Sequence, residues 1–95
     1  MNSKNKRAPT MAEERHILRV KESGCAVCEA SGPSEAHEIK QGQWWTSIAL
    51  CSSCHRDGKM GIHGEKRMWT IMKMDELDAL DVTLGRIYGP LKRVA

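Results

Sequence analysis

Two CxxC pairs constrain this chain more than any other feature. Cys25 and Cys28 form the first pair, Cys51 and Cys54 the second, and 22 residues separate them. The sequence has 95 residues and no phenylalanine, so its apolar core is thin. A domain of that size is marginal and often needs a staple. Disulfides would require an oxidising compartment. The opening MNSKNKRAPT is polar and basic without an apolar run, which predicts no secretory leader. No stretch reaches the length of a membrane span, and no membrane partner is expected. The thiols are therefore expected to stay reduced in the cytoplasm, where paired CxxC motifs predict one structural Zn²⁺. Two other readings compete. One is a redox CxxC, which would want a βαβ context that neither pair has. The other is four unrelated buried thiols.

The rest of the chain reads as one domain over 10–95, preceded by a disordered basic segment over 1–9. Thr10 and Glu13 have capping-box spacing and predict a helix start. Met11, Ile17 and Leu18 are its expected buried face, and Gly24 its stop. His16 lies in this helix and reads as a packing residue, since no other ligand type lies a turn away. CAVC reads as a tight knuckle. EAHEIK and WTSIAL read as two strands of a hairpin. CSSCHRDG predicts a short helix whose first turn carries the second cysteine pair. EKRMWTIMK predicts another helix, with Met68, Trp69, Ile71 and Met72 facing the core. DELDALDVTLGRIY predicts a last one, capped by Asp75, with Leu77, Leu80, Leu84 and Ile87 at helical spacing. The expected class is α+β: a knuckle, hairpin and helix stapled by zinc, the arrangement called a treble clef, with one helix before it and two after.

Four thiolates fill a structural zinc site and leave no open position. His37, Glu38, His55 and His63 then need a separate account. His37 falls in the first strand and His55 directly after Cys54, so the zinc frame can bring them together. Two histidines with a carboxylate suit a divalent metal beside a phosphate. The chain carries 15 Lys and Arg against 12 Asp and Glu, a net charge of +3 that permits a polyanionic partner without requiring one. Arg56, Lys59, Lys66 and Arg67 surround the histidine loop, and Lys4, Lys6, Arg7, Lys92 and Arg93 mark the termini. Of these, Lys59, Lys66 and Arg67 are the candidate nucleic-acid contacts, giving affinity without sequence readout. Trp44 and Trp45 sit at the hairpin, one expected to pack on the core and the other to be exposed.

CAVC, AHEI, IALC and SSCH, in this order, resemble the HNH, or ββα-metal, nucleases, a family built on a treble clef. The tail GIHGEKRMW and the acidic, leucine-rich helix after it are similar to phage recombination-enhancement nucleases. The resemblance covers about residues 10–90. It implies a metal-dependent DNA endonuclease of phage or prophage origin, acting in a bacterial cytoplasm, with DNA and a recombinase filament as partners. It implies a catalytic Mg²⁺ or Mn²⁺ held by His55 with His37 or Glu38, and His63 completing the metal site or holding phosphate. Two positions depart from the family pattern. Glu38 stands where the family usually has the histidine base, and Thr46 where it usually has asparagine. Either His37 binds metal and Glu38 is the base, or the roles are exchanged. Basicity favours His37 as base, since carboxylates titrate near 4.3 and imidazoles near 6.5; the family pattern favours Glu38. The alternative function is a non-catalytic zinc module on the same frame that binds DNA or protein.

Overall fold

The computed structural model describes residues 7–89. It is an α+β arrangement of four helices and one two-stranded sheet in the order α1 (Met11–Glu22), β1 (Glu35–Glu38), β2 (Ser47–Leu50), α2 (Ser52–Arg56), α3 (Arg67–Met72) and α4 (Glu76–Tyr88). Among the described residues no helix is long and apolar enough to cross a membrane. Of the basic termini, Lys4, Lys6, Lys92 and Arg93 lie outside the described residues, as does most of the segment expected to be disordered. Arg7 is described, and its guanidinium pairs with Glu13 at 2.8 Å.

The start of α1 is the expected capping box. The Thr10 hydroxyl accepts from the Glu13 N–H, and the Glu13 carboxylate accepts from the Thr10 N–H. Its buried face differs from expectation. Met11 is 75% exposed and Leu18 57% exposed, while Glu13, His16 and Val20 are buried. Partners explain the inversion. Glu13 is neutralised by Arg7. His16 lies between the Trp45 carbonyl, 3.1 Å from Nε2, and the Tyr88 hydroxyl, 2.7 Å from Nδ1. A carbonyl can only accept, so Nε2 carries the proton and Nδ1 accepts from Tyr88. His16 is thus the packing residue its isolation suggested. After α1 the chain turns back, and Ser34 donates its N–H to the Lys21 carbonyl and its hydroxyl to the Ser23 carbonyl.

β1 and β2 pair antiparallel, with Glu35 opposite Leu50 and His37 opposite Ile48. Alternation puts Glu35 and His37 on one face and Ala36 and Glu38 on the other. All four residues of β2 are buried. The Ala49 N–H donates to the Thr83 hydroxyl at 3.2 Å, and the Ala49 carbonyl accepts from the Ala26 N–H at 2.9 Å. α4 and the knuckle thereby cover this strand.

Close approach of α4 demands small residues, and Ala79 and Thr83 are the buried ones. Of the leucines expected to form that face, Leu77 is 71% exposed. In α3, Met68 is buried and Trp69 packs against the core, but Ile71 and Met72 face solvent. The core gathers Cys25, Ala26, Val27, Ile48, Leu50, Cys54, Ile62, Met68 and Ala79. It therefore includes two of the four cysteines.

Candidate metal centres

The cysteines and the histidines form two separate groups, and in each the ligand atoms all lie within 4.8 Å of one another. The first is Cys25, Cys28, Cys51 and Cys54. The knuckle closes through the Glu29 N–H to the Cys25 carbonyl and the Cys25 N–H to the Ala30 carbonyl, with Glu29 in the left-handed region at φ 64°. The Cys28 N–H points at Cys25 Sγ, 3.5 Å away. Cys51 caps α2 and Cys54 sits in its first turn. Arg86 of α4 braces the knuckle from outside, donating to the Cys25 carbonyl at 3.0 Å.

All four thiols are free, and Cys28 Sγ lies 3.6 Å from Cys51 Sγ. Zinc–sulfur bonds of about 2.3 Å place sulfurs about 3.8 Å apart in a tetrahedron. The electrostatics agree with that geometry. Burial raises the Cys25 thiol, but N–H groups of Cys28, Cys51 and Val27 outweigh it and hold the thiol down to about 7. Burial, then the Cys25 charge, pushes Cys54 well up. Four thiolates this close coexist only around a cation, so the donor set fits Zn²⁺.

The second group is His37, His55 and His63, contributed by β1, α2 and the loop after α2. The loop is folded tightly on itself. Asp57 Oδ1 accepts from the N–H groups of Lys59 and Met60, and the Glu65 N–H reaches the Gly58 carbonyl. The Ile62 N–H bonds the Cys54 carbonyl and the His63 N–H bonds the His55 carbonyl. These bonds return His63 over α2. A side chain at Gly64 would meet the Gly58 and Asp57 carbonyls, which only glycine avoids.

Nε2 of His55 and of His63 lie 3.0 Å apart. Metal–nitrogen bonds of about 2.1 Å set neighbouring nitrogens about 3.0–3.4 Å apart. The His37 ring centroid is 5.3 Å from that of His55 and 5.1 Å from that of His63. Burial, then the charges of His55 and His63, lowers His37 to about 4. Burial, then His55, also lowers His63. Neutral imidazoles are the form that binds metal. On the far side of His55, Nδ1 lies 2.6 Å from Glu35 Oε1, which also accepts from Arg56 Nε at 2.8 Å. Glu76 of α4 approaches His37 Nε2 at 3.7 Å.

The histidines open into a cleft of about 170 Å³, lined also by Ala36, Glu38 and Gln41. Glu38 is the last residue of β1, which lets it line the same cleft as His37 despite strand alternation. It stands outside the three-histidine group, and its Oε1 accepts from the Gly42 N–H at 2.9 Å. Thr46 donates to the Gln43 carbonyl inside the turn.

The basic residues Lys59 and Lys66 are exposed on the same loop, and Arg67 is exposed at the start of α3. Lys66 lies close enough for its charge to depress both His37 and His63, whereas Arg67 pairs with Glu65 at 2.8 Å. Trp44 donates to the Arg7 carbonyl, and Trp45 is 51% exposed. Sequence reasoning missed Glu35 and Glu76. For Glu35 the signal was available, because it lies two residues before His37 on the same strand face. For Glu76 there was none, since α4 is brought to His37 only by packing.

No protein-family model, curated protein or solved structure matches the chain.

Proposed function

We propose that the chain is a metal-dependent DNA endonuclease of the HNH type on a treble-clef frame, with zinc at the four cysteines and a catalytic divalent ion at the three histidines. The observation that carries this reading is the second group: three imidazoles converge on one cleft beside a four-thiol centre that has no need of them. Their donor set is nitrogen only. It favours Mn²⁺, Zn²⁺ or another first-row ion over Mg²⁺, which prefers oxygen ligands. Once bound, that ion would stabilise charge on the phosphoryl oxygens and lower the pKa of water.

The remaining tasks fall to the chain. With His37 among the ligands, Glu38 is the candidate base that takes a proton from the attacking water. The Gly42 N–H holds its Oε1 at 2.9 Å. In this reading Lys66 would hold the scissile phosphate, and Lys59 and Arg67 would contact flanking phosphates. The phage origin, the recombination role and the recombinase partner rest on the motif resemblance.

One observation favours the alternative, a binding module on the same frame. Thr46 occupies the place of the usual asparagine and spends its hydroxyl within the turn. The two readings separate in one assay. Supercoiled plasmid is incubated with zinc-loaded protein and Mn²⁺, Zn²⁺, Mg²⁺ or EDTA. Nicking with Mn²⁺ or Zn²⁺ that disappears in His55→Ala, while zinc content is unchanged, is the expected result. Plasmid that is bound but uncut with every ion supports the binding module, and loss of zinc in His55→Ala would mean the two centres are not separate.

A further inference from the structure

Beyond the three candidate ligands, we infer that Glu35 is the positioning residue of the histidine centre, fixing the tautomer and direction of His55, with Arg56 holding Glu35 in place. The inference rests on the reading that the three histidines hold a divalent ion, but not on nuclease activity.

The geometry assigns the roles. Glu35 Oε1 is 2.6 Å from His55 Nδ1, a charge-assisted distance, and an ionised carboxylate can only accept. Nδ1 therefore carries the hydrogen. In the neutral ring that binds metal, Nε2 then keeps its lone pair, on the side facing His63 at 3.0 Å. The His55 side chain is only 11% exposed, which limits exchange of this partner for bulk water. Arg56 is the next residue of α2 and donates Nε–H to the same Oε1 at 2.8 Å. Arg56 is thereby a clamp on Glu35 rather than a loose surface cation.

The pairing also ties β1 to α2 across the centre, 20 residues apart in sequence. Glu35 and His37 share a strand face, so one strand supplies both a ligand and the group that aims another ligand. A carboxylate behind a metal-binding imidazole raises its basicity and fixes its orientation, and removing such a partner weakens metal binding by about 10–100-fold.

The test uses full-length protein whose cysteine centre is zinc-loaded, titrated with Co²⁺. Absence of thiolate-to-cobalt charge-transfer absorption shows that the cysteines keep their zinc. Glu35→Ala is expected to weaken Co²⁺ binding about 10–100-fold. Glu35→Gln, whose amide oxygen still accepts from Nδ1–H, is expected to lose less and to cover the case in which the alanine variant does not fold. Long-range ¹H–¹⁵N spectra of the cobalt-free protein should show His55 as the Nδ1–H tautomer in wild type and in Glu35→Gln, shifting to Nε2–H in Glu35→Ala. Unchanged Co²⁺ affinity and tautomer in Glu35→Ala, with only a lower melting temperature, would reduce Glu35 to a structural ion pair and overturn the inference. Wild-type protein that binds no Co²⁺ beside its zinc would instead remove the metal reading beneath it.

Discussion

Gly64→Ala should dismantle the histidine centre while leaving the zinc in place. An added Cβ would come within 2.6 Å of both the Asp57 carbonyl oxygen and the Gly58 carbonyl carbon, and closer still to the Gly58 oxygen. All of these are backbone atoms, so no side chain can rotate away. The two oxygens are also in use, accepting from the Gly61 and Glu65 N–H groups at 2.9 Å each. Forcing them apart loses two hydrogen bonds at about 1 kcal/mol each, or about 2 kcal/mol, within the usual cost of overpacking. For a domain of this size that lowers the melting temperature by about 8–16 °C. His63 is the adjacent residue, so it should leave the cluster and Co²⁺ affinity should fall. Gly58→Ala is the internal control, because nothing lies within 4 Å of its added methyl. It should be neutral or slightly stabilising. The assay is thermal unfolding by circular dichroism of the zinc-loaded variants, with Co²⁺ titration of each. A Gly64→Ala protein that melts with the Gly58→Ala protein and binds Co²⁺ as tightly would refute the loop's role.

Two further outcomes test other parts of the molecule. Cys25→Ser should lose zinc and helical signal together, because structural zinc contributes about 10–16 kcal/mol of apparent binding energy against a marginal fold; well-folded wild-type protein without zinc would contradict this. The second outcome concerns acid. The Arg7 guanidinium, and after it the Thr10 N–H, hold the Glu13 carboxyl down to about 2. A folded value below the unfolded one, about 4.3, means that stability from Glu13 is full above that pH and is lost as pH falls toward about 2. Arg7→Ala should therefore be less stable than wild type at neutral pH, and the gap should close across that window in urea melts; a gap constant with pH would show that Arg7 acts by packing alone.

The local signals in the sequence were reliable where a few adjacent residues decide the outcome. Thr10 with Glu13 and Asp75 at the start of α4 cap their helices as their spacing required. The CxxC pairs sit in a knuckle and a helix turn, and their spacing alone separated them from the histidines. Faces of helices were less legible. Met11, Leu18 and Leu77 obey helical periodicity yet lie in solvent, because burial is decided by what packs opposite. α4 approaches β2 so closely that Ala79 and Thr83 take the place that larger leucines were expected to fill. His16 is buried because Tyr88, 72 residues away, supplies its hydrogen bond.

The histidine centre divides in the same way. That His37, His55 and His63 were available ligands was readable from the sequence, as was the ambiguity between His37 and Glu38. The structure groups His37 with His55 and His63 because His37 shares the strand face of Glu35, which meets His55, while Glu38 at the end of β1 turns its carboxylate to the Gly42 amide. His63 arrives because backbone bonds from Ile62 and His63 fold the loop onto α2. Glu35 meets His55 only when strand and helix close around the cysteines. Sequence by itself determined ligand types, caps and spacing, since these depend on covalent neighbours. Which ligands converge, and which carboxylate stands behind each, depended on long-range packing that no local pattern encodes.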